Sequence, residues 1–136
     1  MKTTKLFASL VLIYCSCEDP LSFFAERVYR IRMVDQSGIG FSYIVGYNYP
    51  DTLIPGDNNR LRGVEQGGYG YLDSKKKWKE VYDGLPADTL SIFFFSGDTL
   101  IKYPWEKIRV DYNILDRYDL SLQDLENNNW EVVFPR

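Results

Sequence analysis

The stretch Thr89-Leu90-Ser91-Ile92-Phe93-Phe94-Phe95-Ser96 is apolar on both faces of an extended chain. At period two, Leu90, Ile92 and Phe94 share one face, with Phe93 and Phe95 on the other. Such a strand has to be covered on both sides, which places it in the middle of a sheet or sandwich. The rest of the chain is then read as its cover. Downstream, Gly97 and Asp98 supply turn chemistry. Pro104 stands as a first-turn proline before Trp105, Ile108 and Tyr112, whose spacing predicts a helix of about two or three turns. Ile114 to Leu120 reads as a short strand with Ile114, Tyr118 and Leu120 on one side. Ser121 with Asp124 three positions on is close to a capping box and opens a helical turn that buries Leu122 and Leu125. Asn127, Asn128 and Asn129 break that turn, because asparagine tolerates left-handed backbone. Trp130, Val132 and Phe134 alternate as a closing strand.

Upstream, Arg27 to Val34 sets Tyr29, Ile31 and Met33 against Val28, Arg30 and Arg32, a strand with one wet side. Asp35-Gln36-Ser37-Gly38 is a turn. Phe41, Tyr43, Val45, Tyr47 and Tyr49 then share a face at period two. An aromatic ladder of this kind can stack sugar rings, or form half of a sandwich core with tyrosine hydroxyls at the edge. Tyr47 and Tyr49 are therefore candidate contact residues, with Trp78 as a third. Pro50 to Asn59 is a loop in which Asp57, Asn58 and Asn59 offer oxygens, but not at EF-hand spacing, and a turn cluster is the simpler reading.

Leu61 to Glu65 and Tyr69 to Asp73 read as two short strands around Gly67-Gly68. Gly63 to Gly68 has the spacing of a phosphate loop, yet Tyr69 stands where a lysine must reach the phosphate. Lys75-Lys76-Lys77-Trp78-Lys79 is the most basic patch. It reads as nucleic-acid contact or, in an acidic exported chain, as a solvated hairpin tip with Trp78 turned inward. Trp78 and Tyr82 then begin a strand-like run closed by Gly84 and Pro86. Together these signals predict a mainly all-β chain: a single antiparallel β-sandwich of about seven or eight strands with two short helices in the C-terminal third. An open α+β sheet with the helices on one face is the alternative.

Composition narrows the chemistry. The chain of 136 residues has room for one domain and a leader, and its 11 Tyr, 8 Phe and 3 Trp are enough for one core. The formal net charge of −3 carries no footprint for nucleic acid. Histidine is absent, so Ser-His and Cys-His nucleophile systems and the usual zinc sites lack their parts. Carboxylate chemistry remains. Asp111, Asp116 and Asp119 are the nearest thing to an acidic cluster, and they read better as surface charges balancing Arg109 and Arg117. No enzyme activity and no cofactor are expected.

The N-terminus reads as an address. Lys2 and Lys5 precede the apolar run Leu6 to Ile13, the pattern of a bacterial export signal, and the run through Cys17 is too short to span a membrane. Ser16 before Cys17 fits the small residue a lipoprotein signal peptidase needs, whereas Tyr14 before Cys15 does not. Tyr14 also stands where a lipobox usually has leucine. The expectation is a signal peptide over 1–16, lipid on Cys17, a tether over 17–25 and a β-rich domain over 26–136. An ordinary cleaved secretory signal is the alternative. Two or three long acyl chains on Cys17 would anchor stably where one would be marginal.

The wording of DTLSIFFFSGDTL, PWEKI and RYDLSLQDLENNNWEVVFP, with YPDT at Tyr49 to Thr52, resembles small uncharacterised lipoproteins of Bacteroidetes type. The resemblance covers roughly half the chain. It implies a compact β-rich domain on a lipid anchor in the cell envelope at the outer membrane, and Glu18-Asp19 resembles a short surface-export signal or is the start of a solvated tether. It brings no activity and no catalytic residue. The functional expectation is a membrane-anchored binding or accessory module contacting a glycan or an envelope protein. A purely structural subunit is the alternative, and a small carboxylate hydrolase a third reading.

Overall fold

The computed structural model describes residues 27–136. Cys17, the signal peptide over 1–16 and the whole tether over 17–25 lie outside the described residues. Seven strands form two sheets: β1 (Tyr29–Asp35), β2 (Phe41–Gly46), β3 (Arg62–Val64), β4 (Tyr69–Ser74), β5 (Thr89–Phe95), β6 (Asp116–Ser121) and β7 (Glu131–Phe134). One sheet has the order β4-β1-β7 and the other β3-β2-β5-β6. The fold is mainly β, a sandwich of two sheets with short helices. All pairings are antiparallel except β1 with β7, which is parallel.

β5 lies inside the four-stranded sheet and is buried along nearly its whole length because each face has its own cover. Leu90, Ile92 and Phe94 enter the core between the sheets, with Ile31 and Met33 of β1, Phe41 and Tyr43 of β2, and Val132 and Phe134 of β7. Phe93 and Phe95 face the opposite way and join Ile44, Ile54 and Ile108 in a second cluster. That cluster is roofed by α2 (Gly97–Lys102), α3 (Trp105–Val110) and the loop around Ile54. The loop is held down from α3: Trp105 Nε1–H donates to Gly56 O at 2.9 Å and Arg109 Nε–H to Ile54 O at 2.9 Å. A fully buried Phe is worth about 1.5–3 kcal/mol, so the two-faced strand is the main stabilising element.

Four short helices replace the two expected. Gly97 and Asp98 begin α2 rather than a turn, because the Ser96 hydroxyl caps it by accepting from Thr99 N–H. Trp78 and Tyr82 belong to α1 (Trp78–Asp83), not to a strand; four residues apart, they share one buried helical face. α3 is shorter than expected and ends before Tyr112, whose φ of 52° leaves the helical region. Beyond that bend β6 starts at Asp116, so Ile114 packs with the second cluster while Tyr118 and Leu120 face the inter-sheet core. α4 (Leu122–Asn127) carries the full Ser121–Asp124 capping box and buries Leu125. The asparagines end it, with Asn129 and Trp130 at φ of 53° and 61°. β7 begins at Glu131, so the positive φ at Trp130 leaves that residue before the closing strand rather than in it, while Val132 and Phe134 are buried as expected.

Candidate functional site

The two sheets stack with β3 over β4 at one side edge and β6 over β7 at the other. β3 and β4 are joined by a tight turn over 65–68 and lie close where Gly63 and Gly70 face each other. From there they diverge, since β3 pairs with β2 and β4 with β1. The wedge between them opens as a cleft of about 420 Å³ lined by Tyr43, Val45, Tyr47, Leu72, Arg60 and Arg62, with Asp73 on its rim. A second hollow of about 380 Å³ shares Val45, Tyr47 and Arg60 with it and runs on to Ile54 and Arg109, so Tyr47 sits where the two meet.

A buried carboxylate pins the narrow end of this wedge. Asp35, at the end of β1 and only 4% exposed, accepts from Ser37 N–H, the Ser37 hydroxyl, Gly40 N–H and Gly67 N–H. Burial acts to raise its pKa, but these four hydrogen bonds outweigh that and hold the carboxyl at about 2. Gly40 needs to be glycine, with φ of 74° and Val64 O only 2.9 Å from where a Cβ would stand. Asp35 thus ties the 37–40 turn to the 65–68 turn.

The wide end is different. Tyr43 pairs across strands with Arg62, which puts both on the inward face together with Val64. Val64 is short and joins the core, whereas Arg62 reaches out to the mouth. The Tyr43 ring is 1% exposed, and its hydroxyl has no hydrogen-bond partner among the described residues. Burial pushes its pKa up to about 12, opposed by the Arg62 charge and reinforced by Asp73 and Tyr47. Tyr47 is half-buried and its pKa is raised too, by burial, against the neighbouring charge of Arg60.

The cations at this mouth are uncommitted. Arg62 Nη1–H donates to backbone Leu61 O at 3.1 Å and Asn59 O at 3.4 Å, and neither Arg60 nor Arg62 has a carboxylate at ion-pair distance among the described residues. Four other arginines are paired: Arg30 with Asp73 at 3.1 Å, Arg32 with Glu131 at 3.1 Å, Arg109 with Glu106 at 2.7 Å and Arg117 with Asp119 at 3.1 Å, while the Arg136 guanidinium lies over the Tyr118 ring at 4.1 Å. The cleft is therefore lined by two cations with no carboxylate at ion-pair distance among the described residues and by one carboxylate, Asp73, that Arg30 engages.

No family model, curated protein or solved structure matches this chain. The site therefore rests on its own geometry. Of the residues singled out in the sequence, Tyr47 is on the cleft. Tyr49 is half-buried beyond the end of β2, before Pro50, and is not part of the lining. Trp78 is 4% exposed in the core, so it offers no stacking face, because α1 turns its ring inward. Its Nε1–H also lacks a partner among the described residues. It borders a more apolar hollow with Trp130 and Val28, edged by the charges of Lys77 and Glu126.

The three acids do separate local jobs. Asp111 pairs with Lys107 at 2.6 Å, Asp116 accepts from Arg117 N–H, and Asp119 takes the Ser91 hydroxyl and Arg117. Arg109 binds Glu106 instead of them. Asp57 caps the short 3-10 turn over Asn58–Arg60, accepting from Asn59 N–H. No group of three metal-ligating side chains forms among the described residues, and no helix there is long and apolar enough to cross a membrane.

Two other surfaces compete less well. The outer face of the three-stranded sheet exposes Tyr69 and Tyr71, but Arg32 and Arg30 already lie over their rings at 4.4 and 5.2 Å and are ion-paired. In a hollow of about 410 Å³ between α4 and β7, Asp124 is engaged in the capping box, Glu131 by Arg32, and the Arg136 guanidinium by the Tyr118 ring. The sequence did not single out Tyr43 as separate from its ladder, nor Arg60 and Arg62 at all. Their convergence depends on the β2–β3 register, which no local pattern states.

Proposed function

We propose that the chain is a lipid-anchored binding module of the cell envelope, acting by contact with a glycan through the cleft at Tyr47. The observation that carries the binding half is the buried, unpartnered Tyr43 hydroxyl beside Tyr47 and two unpaired arginines. A buried hydroxyl without a partner costs about 1–3 kcal/mol, so a ligand that satisfies it recovers free energy the fold leaves unused. Tyr47 supplies an amphipathic ring face of the kind sugars stack on, and polar groups around an apolar floor fix orientation. The anchor half rests on the Ser16-Cys17 pattern and the apolar run before it.

One preparation tests both halves. On a glycan array the protein is expected to bind reproducibly, and Tyr47→Ala to lose most of that binding. Binding unchanged by Tyr47→Ala would remove the cleft from the proposal. Mass spectrometry of the same protein from the membrane fraction is expected to show diacylglyceryl on Cys17. An unmodified Cys17 peptide would leave a binding module without its anchor.

A further inference from the structure

We infer that the ligand of the cleft is an acidic saccharide, with its anionic group on Arg60 and Arg62 and its ring face on Tyr47. This rests on the binding reading above and names the substrate class of that same site. The charge pattern carries it. Two guanidinium groups, two residues apart in sequence, line one cleft with no carboxylate at ion-pair distance among the described residues, while Arg30, Arg32, Arg109 and Arg117 each have one.

A guanidinium has five N–H donors and no acceptor, and its planar fork matches a carboxylate or sulfate bidentately. Arg62 spends only Nη1 on backbone carbonyls, so the rest of its fork is available to a ligand. A neutral sugar, with hydroxyls that are donors as much as acceptors, would leave part of this donor set unsatisfied.

A bare anion would not use the whole site either. Tyr47 presents ring surface between the two hollows, and Asp73 stands on the rim with its carboxylate oriented by Arg30 at 3.1 Å. Asp73 is an acceptor, placed to take a hydroxyl proton and to repel a second negative charge at that end. Two guanidinium groups, a tyrosine ring face and one carboxylate around a single cleft suit a hydroxylated ring with one acidic group. Uronate and sulfated sugars share this chemistry.

The test uses the full-length protein against three oligosaccharides of one backbone: neutral, uronate-bearing and sulfated. Both acidic forms, or one of them, are expected to bind at least tenfold tighter than the neutral form. Arg62→Gln should weaken the acidic ligand roughly tenfold, the loss of one charge-assisted contact, and the neutral one by clearly less. Arg60→Gln should act in the same direction, and both side chains are exposed, so circular dichroism should show an unaltered fold. The uronate and sulfate arms say which acid the fork accepts. Equal binding of neutral and acidic forms, or an Arg62→Gln effect equal on both, overturns the inference while leaving the glycan reading in place. Binding to none of the three and to no other glycan overturns both.

Discussion

The two side edges of the sandwich are built with the same residue types and finished differently. At the β6–β7 edge, the Tyr118 hydroxyl accepts from Arg136 N–H at 2.8 Å and the Arg136 guanidinium covers the ring at 4.1 Å. Phe94 and Phe134 stack behind it with centroids 4.7 Å apart. Nearby, the Tyr82 hydroxyl donates to Leu120 O at 2.9 Å. At the β3–β4 edge, Tyr43 is buried as deeply, but among the described residues its hydroxyl has no partner and Arg62 beside it has no carboxylate at ion-pair distance. One edge spends its tyrosine and arginine on closure. The other leaves them for something outside the chain. Polar groups buried in a protein are nearly always paired; of the two exceptions among the described residues, the Tyr43 hydroxyl and Trp78 Nε1–H, Tyr43 is the one on the cleft with Arg60 and Arg62.

The largest effect that sharpens this contrast belongs to Asp35, which sets the narrow end of the open edge. Asp35→Asn removes the charge from four hydrogen bonds and should cost about 2–3 kcal/mol in denaturant unfolding. The pH dependence has a definite sign. The carboxyl ionises at about 2 in the fold against an ordinary 3.8, so the unfolded chain takes up the proton first. The stability it contributes is complete above 3.8 and is lost as the pH falls toward 2. Asp35→Asn should lack that part of the acid dependence. A variant with the same acid profile as the parent would break the link between Asp35 and the turns.

A smaller effect is expected at the closed edge. Tyr118→Phe deletes a made hydrogen bond and should cost about 1 kcal/mol, read as a lower unfolding midpoint, with no change in ligand binding. A stability-neutral Tyr118→Phe would make the two edges alike and weaken the contrast.

How much of this was legible in the sequence depends on how local each feature is. The two faces of β5 were readable because alternation is a property of adjacent residues, and both clusters receive the side chains it assigned. The Ser121–Asp124 cap was readable for the same reason. Trp78 and Tyr82 carried a helical spacing of four, but six residues between a lysine run and Gly84 give only one repeat of it. Ile114 changed sides because a positive φ at Tyr112 resets the face, and tyrosine gives no warning of that. The parallel β1–β7 pair joins strands nearly a hundred positions apart, with Arg32 opposite Glu131, and leaves no local trace. The candidate site was half legible. Tyr47 stood out as an aromatic at the end of a ladder, whereas Arg60 and Arg62 meet it only through the Tyr43–Arg62 register.

The most direct measurement is Tyr43→Phe, followed by thermal unfolding and glycan binding on the same sample. The ring stays in the core, and the substitution deletes only a buried hydroxyl that has no partner. An unchanged or raised unfolding midpoint together with weakened binding is the predicted result, since the hydroxyl costs the fold and serves the ligand. A lowered midpoint with binding intact would make Tyr43 a structural residue like Tyr118 and contradict the account.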